Sequence, residues 1–440
     1  MNTSAQWWND GRLHFGAGIE NTFVPQEGPG ARPIDEYALT EHYERWHGDL
    51  ALAKSVGAEF LRWGIPWHRV SPSPGTWDWE WTDRVMACFG ELGVRPIVDV
   101  LHYGTPLWLD DQFLNPDYPK HVAEFATRAA ERYSDVATAW TPVNEPMIHA
   151  LFCGEYGYWP PYGRGAAGLV AMSAALGRGF VETQRGIADV QPDATFVHVD
   201  ASLRYVGDVD APEHRAEARR FTEQAFLVED LVTGRVGADH PLAPLLSAHG
   251  IGDDELAWFA QRAVSPDVMG VNYYPRHSTE VFEAGIHRRG GFADPRPTRD
   301  DGVAGLIEML RTYADRYGAP VMVTETCVTG SPAERIEWLE ASLDAVEGLR
   351  ASGVDVVGYT WWPLFDMIEW TYRHSTEPPM AHRLSMGLFD LVETPTGLER
   401  HRNAVAARFE AHARAGGDQR TPAALATTGV PSNASPKGDS

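Results

Sequence analysis

Four stretches of the chain repeat one local grammar, and that repetition limits the folds open to it. "ALAKSVGAEFLRW" (51–63), "CFGELGVRPIVDVLHY" (88–103), "TYADRYGAPVMVTE" (312–325) and "LRASGVDVVGYTWW" (349–362) each close an amphipathic helix, pass through a glycine and enter a short β-branched apolar run. Gly57, Gly93, Gly318 and Gly353 fit the left-handed position just past a helix C-terminus. The runs that follow are almost wholly apolar, without the alternation of a half-exposed strand, as parallel strands covered on both faces require.

Weaker copies occupy the gaps. "RYSDVATAWTPVNE" (132–145), "IADVQPDATFVHVD" (187–200) and "RAVSPDVMGVNYY" (262–274) run from helix through turn to strand, and "LHFGAG" (13–18) supplies a first strand. Eight strands separated by helical segments imply parallel pairing with right-handed crossovers. The expected fold is α/β: a single (β/α)8 TIM barrel with extended βα loops, over residues 13–412, after an N-terminal extension (1–12) and before a disordered tail (413–440) rich in small, polar, Pro- and Gly-punctuated sequence. An open doubly wound sheet is the alternative, but no phosphate or dinucleotide signature follows the first strand. The one GxGxxG, "GRGAAG" (163–168), follows the loop sequence "GYWPPY" instead of a strand, so it lacks the context that dinucleotide binding needs.

Charge and cysteine usage exclude several functions. A net charge of −24 disfavours nucleic acid and anionic membranes, both of which select positive surfaces. Cys88, Cys153 and Cys327 are odd in number and widely spaced, which fits a reducing compartment better than a disulfide framework. No apolar run of about 18 residues and no signal-like N-terminus is visible, so a cytoplasmic protein is expected. Sixteen tryptophans suit a large core, and their faces also suit sugar rings.

In such a barrel the active site lies where strands end in the C-terminal direction. Strand two ends in Arg62–Trp63, strand three in His102–Tyr103 and strand four in Asn144–Glu145. Strand six ends in Asn272–Tyr273–Tyr274, strand seven in Glu325 and strand eight in Trp361–Trp362. Singly, each has an ordinary structural explanation: a helix-start charge for Glu145, a core histidine for His102, core packing for the tryptophans. Their coincidence on one rim does not. No HExxH, Cys/His cluster or P-loop accompanies them, so no metal or organic cofactor is expected. Two carboxylates on opposite sides of a barrel mouth suit glycoside cleavage, in which one acid is held protonated and the other ionised.

These residues resemble glycoside hydrolase family 1, the retaining β-glycosidases of clan A, across roughly residues 13–410. The resemblance is carried by "AWTPVNEP" (139–146), "VTETCVTG" (323–330), "HYGTPLWL" (102–109), "MGVNYYP" (269–275) and "YTWWPLFDMIEW" (359–370) in that family's order. It implies Glu145 as acid/base and Glu325 as nucleophile, with Arg62 and Tyr274 beside the nucleophile. It implies Asn144 on the 2-hydroxyl, His102 and Trp362 on the glycone, Glu369 and Trp370 at its far hydroxyls, and Asn272 behind them. The implied activity is a retaining exo-β-glycosidase on a small glycoside; a transglycosidase using the same pair, and a silent sugar-binding barrel, are the alternatives.

Two departures stand out. Thr326–Cys327 replace the Asn-Gly that follows the nucleophile in that family. The glutamine that usually grips the glycone has no clean counterpart in "FGAGIENTFVPQEG" (15–28), where Glu20 and Gln26 compete for the position. The glycone is therefore open to a sugar other than plain glucose, including a substituted sugar or a disaccharide. Sequence does not decide between monomer and homo-oligomer.

Overall fold

The helix–glycine–strand grammar produces a closed ring of eight parallel strands in the computed structural model, which describes residues 6–24, 30–208, 210–283 and 297–418. The strands are β1 (His14–Gly18), β2 (Phe60–Gly64), β3 (Arg95–Asp99), β4 (Ala139–Thr141), β5 (Thr195–Ala201), β6 (Val268–Asn272), β7 (Val321–Glu325) and β8 (Val356–Trp361). Each pairs with its sequence neighbours, and β1 closes onto β8. Helices α1 (His42–Ser55), α2 (Glu80–Leu92), α3 (Tyr118–Arg132), α4 (Gly165–Val190), α5 (Asp253–Arg262), α6 (Gly302–Tyr317), α7 (Pro332–Ala351) and α8 (Ala404–Asp418) follow the strands in turn. The expected barrel is thus observed, and Gly57, Gly93, Gly318 and Gly353 all have positive φ where their helices end.

The inside of the barrel is packed. Phe60, Ile97, Ala139, Val197, Val199, Val268, Met322 and Val357 form one buried cluster that Trp8 joins from the N-terminal segment. Trp7 and Trp8 of the expected N-terminal extension therefore contribute to the barrel's packing. Gly16 leaves room for this filling, since a Cβ there would lie 2.1 Å from the Phe60 ring. Long loops carry the rest of the chain. The segment after β8 alone holds two short 3-10 helices and the hairpin Phe389–Thr394/Gly397–Arg402.

The C-terminal boundary differs from expectation. Helix α8 continues to Asp418, beyond the boundary placed at residue 412. Ala413 is buried, and its Cβ lies 3.3 Å from where a side chain at Gly57 would begin. Gly416 likewise lies close to Phe15, whose ring is 2.9 Å from where a Gly416 side chain would begin, so Ala413 and Gly416 are helical residues whose small size allows close packing. The remainder of the expected disordered tail, residues 419–440, lies outside the described residues, as do residues 1–5 and Gln26. Among the described residues no helix is long and apolar enough to cross a membrane.

Filling Gly16 tests the packed interior. Gly16→Ala should cost about 1–3 kcal/mol of stability, the usual range for overpacking a filled core. Urea unfolding beside the wild type measures it, and an unchanged midpoint would show that Phe60 has space to retreat.

Candidate active site

The backbone sets two carboxylates on the same rim. At β4 the chain leaves the barrel through Asn144, whose N–H donates to the Leu101 carbonyl at 2.9 Å, and Glu145, whose N–H donates to the Val199 carbonyl at 3.0 Å. Glu145 then takes left-handed backbone angles (φ 46°, ψ 59°), and Pro146 begins the short helix Pro146–His149. Proline suits that first helical position because its missing N–H would be unpaired there anyway. Glu145 stands at a helix start, but its carboxyl makes no capping bond. The left-handed geometry is unfavourable for a non-glycine residue, and neighbouring contacts must hold it. At β7 the pairing with β6 slips between Val323 and Glu325, so Glu325 aligns with Asn272 after an extra residue. The Thr324 hydroxyl donates to the Asn272 amide oxygen at 2.7 Å and pins that slip.

Arg62, at the end of β2, joins these elements. It has no exposed surface. Its Nη1 donates to Glu325 Oε1 at 2.8 Å and to the Thr324 carbonyl at 3.2 Å. Its Nη2 donates to both oxygens of Asp99 (3.1 and 3.0 Å) and to Asn144 Oδ1 (2.8 Å). Glu325 Oε2 accepts from the Tyr274 hydroxyl at 2.7 Å. Glu145 is held differently: Asn272 Nδ2 donates to its Oε1 at 2.8 Å and the Tyr103 hydroxyl to its Oε2.

Burial pushes the pKa values of both Glu145 and Glu325 upward; at Glu325 the Arg62 cation opposes the rise and the charge of Glu145 adds to it. Arg62 beside Glu325 favours the ionised form there, whereas the hydrogen-bond partners of Glu145 are a neutral amide and a neutral phenol. Burial works against the charge of Asp99 too, but Arg62 and His102 hold its carboxyl below the usual range. Asp99 is the counter-ion that sequence reading missed, because it lies inside the continuous run "RPIVDVLHY". An acid interrupting such a run was the available signal.

The two carboxylates open on one cavity of about 790 Å³, counting its mouth. Glu20, His102, Tyr103, Glu369 and Trp370 share its wall with Tyr274 and the pair. Val328, Met367, Leu384 and Met386 give it an apolar side. Glu20, at the end of β1, is buried and held by three hydrogen bonds: Oε2 accepts from Trp362 Nε1 at 2.9 Å, and Oε1 from the Thr22 N–H (3.0 Å) and hydroxyl (2.6 Å). His102 lies 3.5 Å from Glu20 and 3.4 Å from Asp99.

Two expected residues stand one layer deeper than the resemblance implies. Asn144 and Trp362 are buried and absent from the cavity wall, as is Asn272, which was expected behind the others. The Asn144 amide is spent on His102 (3.2 Å) and the Tyr103 hydroxyl (3.4 Å). Trp362 lies nearly parallel to the His102 ring at 5.9 Å, with the Arg62 guanidinium 4.7 Å from its own ring. Strand order gave these residues a place on the rim without giving their depth.

Known proteins agree with this geometry. The description of Glycosyl hydrolase family 1 matches residues 6–274, more than half of the chain, and ends before Glu325. Thermostable beta-glucosidase B of Thermobispora bispora is 26% identical over 411 residues, covering 84% of this chain and 80% of that protein. The bifunctional beta-D-glucosidase/beta-D-fucosidase of Bifidobacterium breve is 27% identical over 390 residues, covering 76% and 81%. A beta-glucosidase from Thermotoga maritima in complex with deoxynojirimycin shares the fold with a TM-score of 0.75 at 18% identity, over 92% of this chain and 98% of that one. Barrel, paired acids and matched sequence lead to one conclusion: the chain belongs to glycosyl hydrolase family 1 and is a glycoside hydrolase.

Proposed function

We propose that the protein is a retaining exo-β-glycosidase in which Glu325 is the nucleophile and Glu145 the acid/base. One observation carries the reading: two buried carboxylates face one cavity, one held by a guanidinium and a phenol, the other by an amide and a phenol. In the first step a Glu325 oxygen bonds to the anomeric carbon as the bond to the leaving oxygen breaks and Glu145 gives that oxygen its proton. In the second, Glu145 takes a proton from water, whose oxygen displaces Glu325 and releases the sugar with net retention. Arg62 and Tyr274 hold the attacking carboxylate ionised and oriented.

His102, Glu20, Glu369 and Trp370 form the glycone side of this reading. Asn144 can reach a 2-hydroxyl only by giving up His102 or Tyr103, and Trp362 acts from behind by setting Glu20 and His102. Where that family usually offers an amide, Glu20 offers lone pairs only, so the sugar hydroxyl it meets must donate. Relatives are named as beta-glucosidases, a beta-D-glucosidase/beta-D-fucosidase and, in Pyrococcus woesei, a beta-galactosidase, which fits β-glycosides with more than one sugar in play. The altered clamp favours a sugar other than plain glucose. The apolar wall fits an aryl or alkyl aglycone. The three cysteines are free and buried, which supports a reducing, cytoplasmic setting.

A nitrophenyl β-glycoside panel with product stereochemistry is the direct test. Retained configuration is expected, with the glucoside not the fastest member; inversion, or a glucoside well ahead of the others, would overturn the mechanism or the sugar assignment respectively. Glu325→Gly should lower kcat/KM by about 10⁴-fold or more. Glu145→Ala should keep turnover of an activated dinitrophenyl glycoside and form the β-glycosyl azide with added azide, which unchanged kinetics would contradict.

Arg62 predicts a pH-dependent stability effect. Arg62→Met leaves Asp99 and Glu325 buried without their cation, a loss of about 3–5 kcal/mol. Asp99's depressed pKa gives the wild type stability that is present above the ordinary carboxylate range and lost as pH falls through the folded value. Without Arg62 the freed carboxyls rise instead and take up protons on acidification. Urea unfolding should therefore show a larger deficit at pH 8 than at pH 5, and an equal deficit at both would dismiss the electrostatic account.

A further inference from the structure

Tyr103 touches the proposed acid/base and belongs to none of the roles assigned above. It is 3% exposed and adopts left-handed backbone angles (φ 77°), a costly choice for a bulky residue. Aromatic neighbours fix its ring on several sides: His102 edge-on at 4.8 Å, Trp159 at 5.1 Å, Trp370 at 5.4 Å, and a tilted His149 at 4.7 Å. A ring held this firmly puts its hydroxyl in one place.

The direction of its hydrogen bond follows from its neighbours. Arg62 can only donate, so the Asn144 oxygen faces it and the Asn144 Nδ2 faces the other way. That nitrogen donates to the Tyr103 oxygen at 3.4 Å. The phenolic O–H in turn donates to Glu145 Oε2. Burial, with the charge of Glu145, pushes the phenol's pKa well above its usual value, so the proton stays on Tyr103. Arg62, Asn144 and Tyr103 form a line of donors, each turned toward the next acceptor, and the line ends on Glu145.

We propose that Tyr103 is a positioning residue that strengthens Glu145 as an acid, by donating to the carboxylate that proton transfer leaves behind. The proposal rests on Glu145 being the acid/base. As the leaving oxygen takes the Glu145 proton, negative charge appears on the carboxyl, and the Tyr103 O–H is already aimed at it; the phenol keeps its own proton in both steps. A donor that favours the ionised form lowers the acid's pKa, so losing it makes Glu145 hold its proton more tightly. Substrates with poor leaving groups then suffer most, because they depend on that proton.

The test compares wild type, Tyr103→Phe and Tyr103→3,5-difluorotyrosine, using 2,4-dinitrophenyl and octyl glycosides of the sugar that the nitrophenyl panel ranks first. For Tyr103→Phe the basic limb of kcat/KM should move up by about one pH unit, and the dinitrophenyl-to-octyl rate ratio should rise about tenfold. The difluorinated phenol, a stronger donor, should move the limb down. A parallel loss on both glycosides with the limb unmoved would mark Tyr103 as structural only and overturn the proposal. Glu145→Gln separates the two levels: a basic limb that survives it would overturn the Glu145 assignment and this proposal with it, whereas a limb that disappears while Tyr103→Phe leaves the wild-type limb unmoved would overturn this proposal alone.

Discussion

A single buried guanidinium organises the rim of this barrel. Arg62 bonds to Asp99 on β3, Asn144 after β4, and Thr324 and Glu325 on β7, so one side chain ties four strand ends to each other across the barrel mouth. Two buried carboxylates offset its charge, and the guanidinium in turn makes their ionised forms tolerable. Remove the guanidinium and two buried carboxylates are left without a cation. The same contacts that stabilise the mouth also bear on the ionisation of Glu325, so stability and chemistry cannot be varied independently there.

The other organising device is strain held by packing. Glu145 and Tyr103 both have positive φ, and they contact each other. The Val199 carbonyl fixes the backbone of one, and an aromatic cage fixes the ring of the other. The β6/β7 slip adds a third irregularity, which turns Glu325 to meet Arg62 and Tyr274. Regular strands deliver the side chains to the rim, and these local departures from regularity aim them.

Most of the fold was legible in the chain because four βα units repeat one local signal, helix, positive-φ glycine and apolar run, and weaker copies fill the gaps. Eight strands in such a series leave few architectures. Arg62, Glu145 and Glu325 were legible because a polar residue ending an apolar strand is conspicuous. Asp99 was hidden by the same rule, since more apolar residues follow it. Asn144 and Trp362 came out in the correct order but too shallow, because depth depends on which neighbour crosses in front. The positive φ of Tyr103 has no local sequence signal; it comes from tertiary packing. The α8 boundary failed through composition: Ala and Gly read as a loose tail, but their small size is what lets the helix lie close against Gly57.

The filled floor of the barrel has a consequence for traffic. With Trp8, Phe60 and Met322 packed in the barrel interior, the described residues close the well at its floor. On the mechanism proposed above, a departing alcohol and the molecule that replaces it would then share the mouth, where the apolar side chains would bear on whether water or another alcohol follows.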